Sequence, residues 1–388
     1  MVSLLLAIIY LSFISLGLPD SLLGSAWPVM RLSFAAELSF AGVISTIITV
    51  GTIISSLLSD RLTRRFGAGL VTAVSVTMTA AALFGFSVSR SLALLCLWAV
   101  PYGLGAGAVD AALNNYVALH YSSRQMSWLH CFWGVGCSIS PYIMSAALAH
   151  AGAWQHGYRT VSIMQIILSA LLFLSLPLWH HGSADPAEAA DKAQPLGMKG
   201  ALRIPGVLFI LLAFFGYCGA ETTAGLWGSS YLVGVRSIAP QTAARFASLF
   251  YLGITFGRFL CGFVAEKLGD RTMIRIGCGG MALGVLLILL PVPADFFALS
   301  GLVIFGLGCA PVYPSIIHST PDNFGRENSQ AIIGIQMASA YTGSALMPPL
   351  FGLLAEYITL RLYPIVLGLL LLLIILMTER LNRLVKNS

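Results

Sequence analysis

Residues 56–67 read SLLSDRLTRRFG, and residues 262–271 read GFVAEKLGDR. Each stretch spaces a small residue four positions ahead of an acid followed directly by a base: Ser56, Asp60 and Arg61 in the first, Gly262, Glu266 and Lys267 in the second. Each closes a long apolar run. Charged clusters that recur behind apolar runs, 206 residues apart, imply one pattern used twice in the chain.

The sequence around them is poor in charge. Of 388 residues, 9% are charged and 57% hydrophobic, whereas a soluble domain is about a quarter charged. Runs of about 20 apolar residues, enough to span a bilayer as helix, recur throughout. Short alternating segments of the kind a β-barrel needs do not dominate. The predicted fold is all-α and polytopic, with twelve membrane helices near 3–30, 39–60, 67–88, 91–119, 126–150, 159–179, 205–233, 242–266, 272–291, 295–320, 328–356 and 360–378. The longest polar stretch divides them into a six-helix bundle (1–181), a cytoplasmic linker (182–204) and a second six-helix bundle (205–388). The first apolar run lacks a basic flank and a small-residue cleavage site, so it is expected to be a membrane helix and not a cleaved signal.

The formal charge is +6, but the basic residues sit at segment ends. That pattern belongs to membrane topology and not to nucleic-acid binding. With the N-terminus inside, 15 of the 21 Lys and Arg fall on the inner side, Arg124 and Arg258 among them, and six fall outside. Both termini are predicted cytoplasmic, in a bacterial inner membrane. Seven cysteines scattered through apolar stretches form no metal-ligand spacing and are expected to be small core residues.

Further pairs strengthen the repeat. Gly103-Leu104-Gly105 matches Gly306-Leu307-Gly308 at an offset of 203, and Gly136 with Pro141 matches Gly343 with Pro348 at 207. Since six is even, the halves are parallel repeats. That architecture puts a solute site at a central cavity between them.

The spacing Ser56-x-x-x-Asp60-Arg61-x-Thr63-Arg64-Arg65 resembles the signature G-x-x-x-D-R-x-G-R-R of the major facilitator superfamily, with Ser56 and Thr63 in place of its two glycines. The resemblance covers the whole chain. GLGAGAVDAALNNY (103–116), LHCFWGVGCSISP (129–141), GYCGAETTAGLWGSSYL (216–232) and APVYPS (310–315), with an acid at position 20, are similar to its fucose, galactose and glucose symporter branch. Fucose-type symporters carry Glu at the level of Asp110. The resemblance implies alternating access, and an inner-side gate formed by Asp60, Arg61 and Arg64 with its mirror Glu266, Lys267, Asp270 and Arg271.

Three acids lie inside apolar segments: Asp20, Asp110 and Glu221. A carboxylate at bilayer depth costs about 2.5–3.5 kcal/mol by insertion scales, so it normally faces a partner or a cavity. Such groups are candidate proton carriers, and Glu221 lies 201 residues after Asp20, near the repeat offset. Pro19 removes a backbone donor and is expected to open the first helix; Gly216, Gly219 and Gly225 are expected to loosen the seventh. Asn114 shares a face with Asp110, and Asn115 adds a second amide for solute hydroxyls. Trp133 follows His130 at i+3, and Trp227 and Tyr231 are four apart, so these aromatics are candidate sugar-stacking faces. Core packing and interfacial anchoring compete with that reading. Tyr313 aligns with Asp110 across the repeat, and Gln336 and Gln165 are further candidates.

No catalytic constellation, metal cluster or nucleotide motif appears, so an enzyme is not expected and neither is a cofactor. The expected partners are a small-molecule solute and the lipid bilayer, with a monomeric chain. The leading function is proton-coupled import of a small polar solute, a monosaccharide or related compound, with sodium as the alternative coupling ion. The competing function is efflux of amphipathic compounds by antiport. The Gly-Pro dipeptide of drug antiporters is absent from the fifth segment, where Gly136 and Pro141 are five apart.

Overall fold

In lipid every backbone donor and acceptor must be satisfied within its own segment, which leaves these apolar runs only the helix. The computed structural model describes residues 4–37, 40–151, 153–180, 197–290 and 294–386, and among them no strand occurs. Ten helical stretches are long and apolar enough to cross a membrane. One of them, Phe40–Val88, holds 49 residues, about 75 Å of helix and twice what one crossing needs. It divides at Gly67, the one residue inside it with non-helical dihedrals (φ 78°, ψ 153°).

The helices are α1 (Leu4–Asp20, resumed as Leu22–Ser33), α2 (40–66), α3 (68–88), α4 (Leu92–His120), α5 (Ser123–Ala151), α6 (Trp154–Leu174), α7 (Val207–Gly234), α8 (Pro240–Leu268), α9 (Asp270–Leu289), α10 (Asp295–His318), α11 (Arg326–Tyr357) and α12 (Tyr363–Lys386). The twelve agree with the sequence reading apart from their ends. Most of the expected linker, 182–196, lies outside the described residues, and its remainder holds a short helix, Gly197–Arg203.

The signature stretch differs from its expectation in one respect. The second membrane helix is expected to end near residue 60, yet α2 stays helical through Phe66 and carries Asp60 and Arg64 on it. In the second copy the helix stops at Gly269 (φ 73°, ψ 157°). The signature position equivalent to Gly269 is Thr63, which is helical and 3% exposed. Only glycine adopts that pair of dihedrals without strain. Lacking a glycine at 63, α2 runs one more turn and breaks at the next one, Gly67.

Two compact units emerge from the contacts. The first holds the described residues of Met1–Leu119, Leu129–Met198 and Arg326–Ala338; the second holds those of His120–Trp128, Lys199–Gly325 and Ser339–Ser388. Within each unit the same backbone crossing recurs. A Cβ placed on Gly136 of α5 would overlap the Ile14 carbonyl oxygen of α1, and a Cβ on Gly343 of α11 would overlap that of Phe215 in α7. Residues 14 and 215 are 201 apart, as are Asp20 and Glu221. The repeat is therefore one packing solution built twice, with small residues letting helix backbones touch.

Candidate functional site

The first unit gathers polar groups at two places. Pro19 has no N–H, so the Ser15 carbonyl, its i−4 partner, is left over. Gln165 of α6 donates its Nε2 to that oxygen at 2.7 Å. Two residues later α1 turns at Ser21 and restarts at Leu22, and the Ser21 hydroxyl donates to the Cys137 carbonyl of α5 at 2.7 Å. The close α1–α5 crossing then sets Asp20 beside Trp133. The indole Nε1 donates to Asp20 Oδ2 at 2.9 Å, and the Tyr102 hydroxyl donates to Oδ1 at 3.3 Å. Asp20 itself is exposed. Both donors are neutral, and no cation pairs with it among the described residues.

The second place is a chain of buried groups between α4 and α5. Asn114 Nδ2 donates to Asp110 Oδ1 at 2.8 Å, and His130 Nε2 donates to Asn114 Oδ1 at 3.0 Å. Asn114 is completely buried, and the His130 imidazole meets the Phe13 ring of α1 at right angles. His130 and Trp133, expected on one face, thus serve different partners, one on α4 and one on α1.

In the second unit Glu221 accepts from the Tyr217 hydroxyl and pairs with Arg258 Nη2 at 3.5 Å. This corrects the topology count. Arg258 is no inner helix end: it lies ten residues before the end of α8, about 15 Å up the helix, and is 3% exposed. Its charge is tolerated there because Glu221 opposes it and the Tyr313 ring lies 5.8 Å from the guanidinium carbon. The inner-side bias stands at fourteen to six without it. Tyr313 also packs on Phe214 and Tyr217, so it joins Glu221. The expected loosening of α7 does not occur; the helix is continuous, with Gly219 packed on Met347 and Gly225 on Tyr251.

Trp227 and Tyr231 stand in a separate aromatic group. Trp227 donates its Nε1 to the Pro348 carbonyl at 2.9 Å and meets Phe351 edge-on. Tyr231 is buried and stacks on Tyr363. Gln336 is fully buried in the first unit, and Asn115 accepts from the Ser329 hydroxyl at 2.6 Å.

The gate residues divide differently from their expected mirror. Asp60 and Arg64 pair at 2.7 Å, and Arg64 Nη2 donates to the Glu327 carbonyl at the start of α11 at 2.6 Å. Arg326 donates to the Leu119 carbonyl at 2.7 Å. In the second unit Glu266 pairs not within its own loop but with Arg124 at 2.7 Å, and Asp270 pairs with His318 at 2.6 Å. Arg61 and Lys267 are exposed and Arg271 is half-buried. Arg124 and Arg326 carried a signal that spacing could have found: SRQMS (123–127) and GRENS (325–329) repeat at an offset of 202.

The sequence profile of the Major Facilitator Superfamily matches residues 9–294 and 235–384. The chain belongs to the Major Facilitator Superfamily. It is therefore an integral membrane transporter and not an enzyme. The proteins it is similar to include Bypass of stop codon protein 6 of Saccharomyces cerevisiae, 23% identical over 91% of this chain and 77% of that one. The glucose/mannose transporter GlcP of Bacillus subtilis is 23% identical over 88% of this chain and 86% of its own. Among solved structures, the superfamily transporter FucP in its outward conformation superposes with a TM-score of 0.77 at 15% identity, covering 97% of this chain and 98% of that chain. A second structure, with a TM-score of 0.76, names FucP the fucose:proton symporter of E. coli.

Proposed function

We propose that this superfamily carrier imports a small polar solute, a monosaccharide or a related compound, together with protons. The observation that carries the reading is the setting of Asp20. It is exposed, sits where α1 opens, and is held by the neutral donors Trp133 and Tyr102 alone among the described residues. Gaining or losing a proton there changes the local charge by one unit with nothing to offset it. Glu221, by contrast, is offset by Arg258. A coupling ion biases the inward and outward states only through its different affinity for each, and a carboxylate without a cation gives that difference its largest electrostatic lever. The half-buried indole of Trp133 supplies a flat face beside the acid. The names of GlcP and FucP support a sugar and, for FucP, a proton.

A second reading, a solute bearing a carboxylate, is favoured by Arg258, whose guanidinium Nη2 stands 3.5 Å from its own acid, longer than a tight charge-assisted bond.

The test has two stages. Purified protein is screened for ligand-induced thermal shifts against monosaccharides, polyols, sugar acids, organic acids and amphipathic cations. Hits are then followed in proteoliposomes under an inward proton gradient or an inward sodium gradient. The proposal expects a monosaccharide that raises the melting temperature and accumulates with protons, with accumulation but not exchange lost in Asp20→Asn. A shift by sugar acids alone selects the second reading. No sugar shift together with proton-driven extrusion of a cation overturns both in favour of efflux. Accumulation in Asp20→Asn equal to the unsubstituted carrier removes Asp20 from the coupling.

A further inference from the structure

At the end of α10, on the side read as cytoplasmic, His318 lies between two acceptors. Its Nδ1 is 2.6 Å from Asp270 Oδ2, and its Nε2 is 3.2 Å from the Tyr121 carbonyl oxygen. A carbonyl accepts only, so Nε2 must carry a proton to bond it. The contact at Nδ1 then needs a second proton between nitrogen and carboxylate. A neutral imidazole beside an ionised Asp270 has one proton too few, and one of the two contacts becomes a meeting of lone pairs. The arrangement closes only when the pair holds an extra proton.

The helix ends say where that proton rests. Asp270 is the first residue of α9 and His318 the last of α10. A helix N-terminus favours an anion and a C-terminus a cation, so the stable form is carboxylate with imidazolium. Asp322, in the short helix after α10, also acts on the ring; like Asp270 it favours the cation. Tyr121 contributes only its backbone oxygen.

We propose that Asp270 and His318 form a second proton-binding site, separate from the membrane acids, whose occupancy clips the segment 120–128 onto α9 and α10. The site does not depend on which solute is carried. That segment is also held by Arg124 on Glu266 and by Trp128 Nε1 on the Phe259 carbonyl at 3.3 Å. Its counterpart at the start of α11 is held in the first unit by Arg64 and Arg326, which stay charged at every accessible pH. Of these two attachments only the one through His318 uses a group that titrates near neutrality. Proton release at His318 loosens the start of α5 and leaves the start of α11 unchanged. His120, exposed on the same segment, is a second imidazole there and must be separated from it.

Hydrogen–deuterium exchange of the full-length protein in lipid nanodiscs reads the clip without a solute. After correction for intrinsic amide exchange, protection of 120–128 should fall about tenfold between pH 6 and pH 8.5, the worth of one hydrogen bond to a charged group. Protection of 326–338 should not move. His318→Arg keeps two donors without titrating and should hold 120–128 protected at both values; His318→Gln should leave it unprotected at both; His120→Gln should keep the step. A flat profile in the unsubstituted protein overturns the proposal whether or not any variant folds. So does a step that survives in His318→Gln or His318→Arg, or one that disappears in His120→Gln.

Discussion

The opening of α1 rests on one hydrogen bond whose worth can be isolated. Pro19 leaves the Ser15 carbonyl without its helical donor, and Gln165 Nε2 fills the place at 2.7 Å. Gln165 is 2% exposed, and its Oε1 finds no donor among the described residues, so Gln165→Leu removes that one bond at nearly constant volume. A buried carbonyl stripped of its donor costs about 1–3 kcal/mol, while interhelical bonds in membranes average about 0.6 and reach about 1.7 kcal/mol. The substitution should therefore destabilise by about 1–1.5 kcal/mol. Pro19→Ala restores an N–H one turn after Ser15, and in that background the same Gln165→Leu change should cost under about 0.5 kcal/mol. The coupling in this double-mutant cycle is then about 1 kcal/mol, with the double variant more stable than the two single losses add up to. Reversible unfolding in mixed micelles supplies the four free energies. Additivity within about 0.3–0.5 kcal/mol, the usual value for independent sites, would refute the exchange of donors between Pro19 and Gln165.

Three further outcomes are expected. Arg258→Met leaves Glu221 without its base and should cost about 2–4 kcal/mol in the same assay, discounted from a fully buried pair because the Glu221 side chain keeps 16% of its surface and can take up a proton; adding Glu221→Gln should recover most of the loss, and a double variant no better than the single one would contradict the pairing. Gly67→Ala meets no atom within 4 Å, so its cost is purely that of the backbone angle, about 1–3 kcal/mol; a neutral substitution would mean that α2 does not end there. Trp227→Phe loses the bond to Pro348 and should lower stability by about 1 kcal/mol with solute affinity within about twofold, whereas a tenfold affinity loss would make Trp227 a solute contact.

What the sequence disclosed depended on the kind of signal. Apolar length fixes where helices must lie, because lipid offers the backbone no alternative, and the twelve segments followed from it. Repeat spacing located Gly136 and Gly343 before their contacts with Ile14 and Phe215 were visible, because a glycine at a backbone crossing cannot be exchanged without parting the helices. Charge was harder. Arg258 looked like a topology marker because a one-dimensional reading sees only distance from a segment end; its compensation by Glu221 comes from another helix, 37 residues away in sequence. Arg124 reads from sequence as inner-side charge, and its hold on Glu266 is hinted at only by its repeat partner Arg326. His318 carried no signal at all, since its two acceptors are a carboxylate 48 residues back and a backbone oxygen that no side-chain pattern reports.

The repeat also explains why the two matched acids need not do the same work. Backbone crossings are conserved between the halves because moving either helix would disturb a whole packed layer, whereas a side chain at a matched position is free to change its neighbour. Tyr102 stands at the level of Phe305, 203 residues on, and Arg258 at the level of Thr52, 206 residues back. The first exchange gives Asp20 a hydroxyl that its counterpart position lacks, and the second gives Glu221 a guanidinium where the first half has the Thr52 hydroxyl. Two substitutions on one scaffold thus separate an acid whose charge is offset in place from an acid whose charge is not. Moving an uncompensated carboxylate through a low-dielectric environment is costly, and a proton on Asp20 removes that cost, while the Glu221–Arg258 pair is neutral as a unit and requires no proton. The asymmetry of the two halves, and not their likeness, is what assigns the proposed coupling proton to α1.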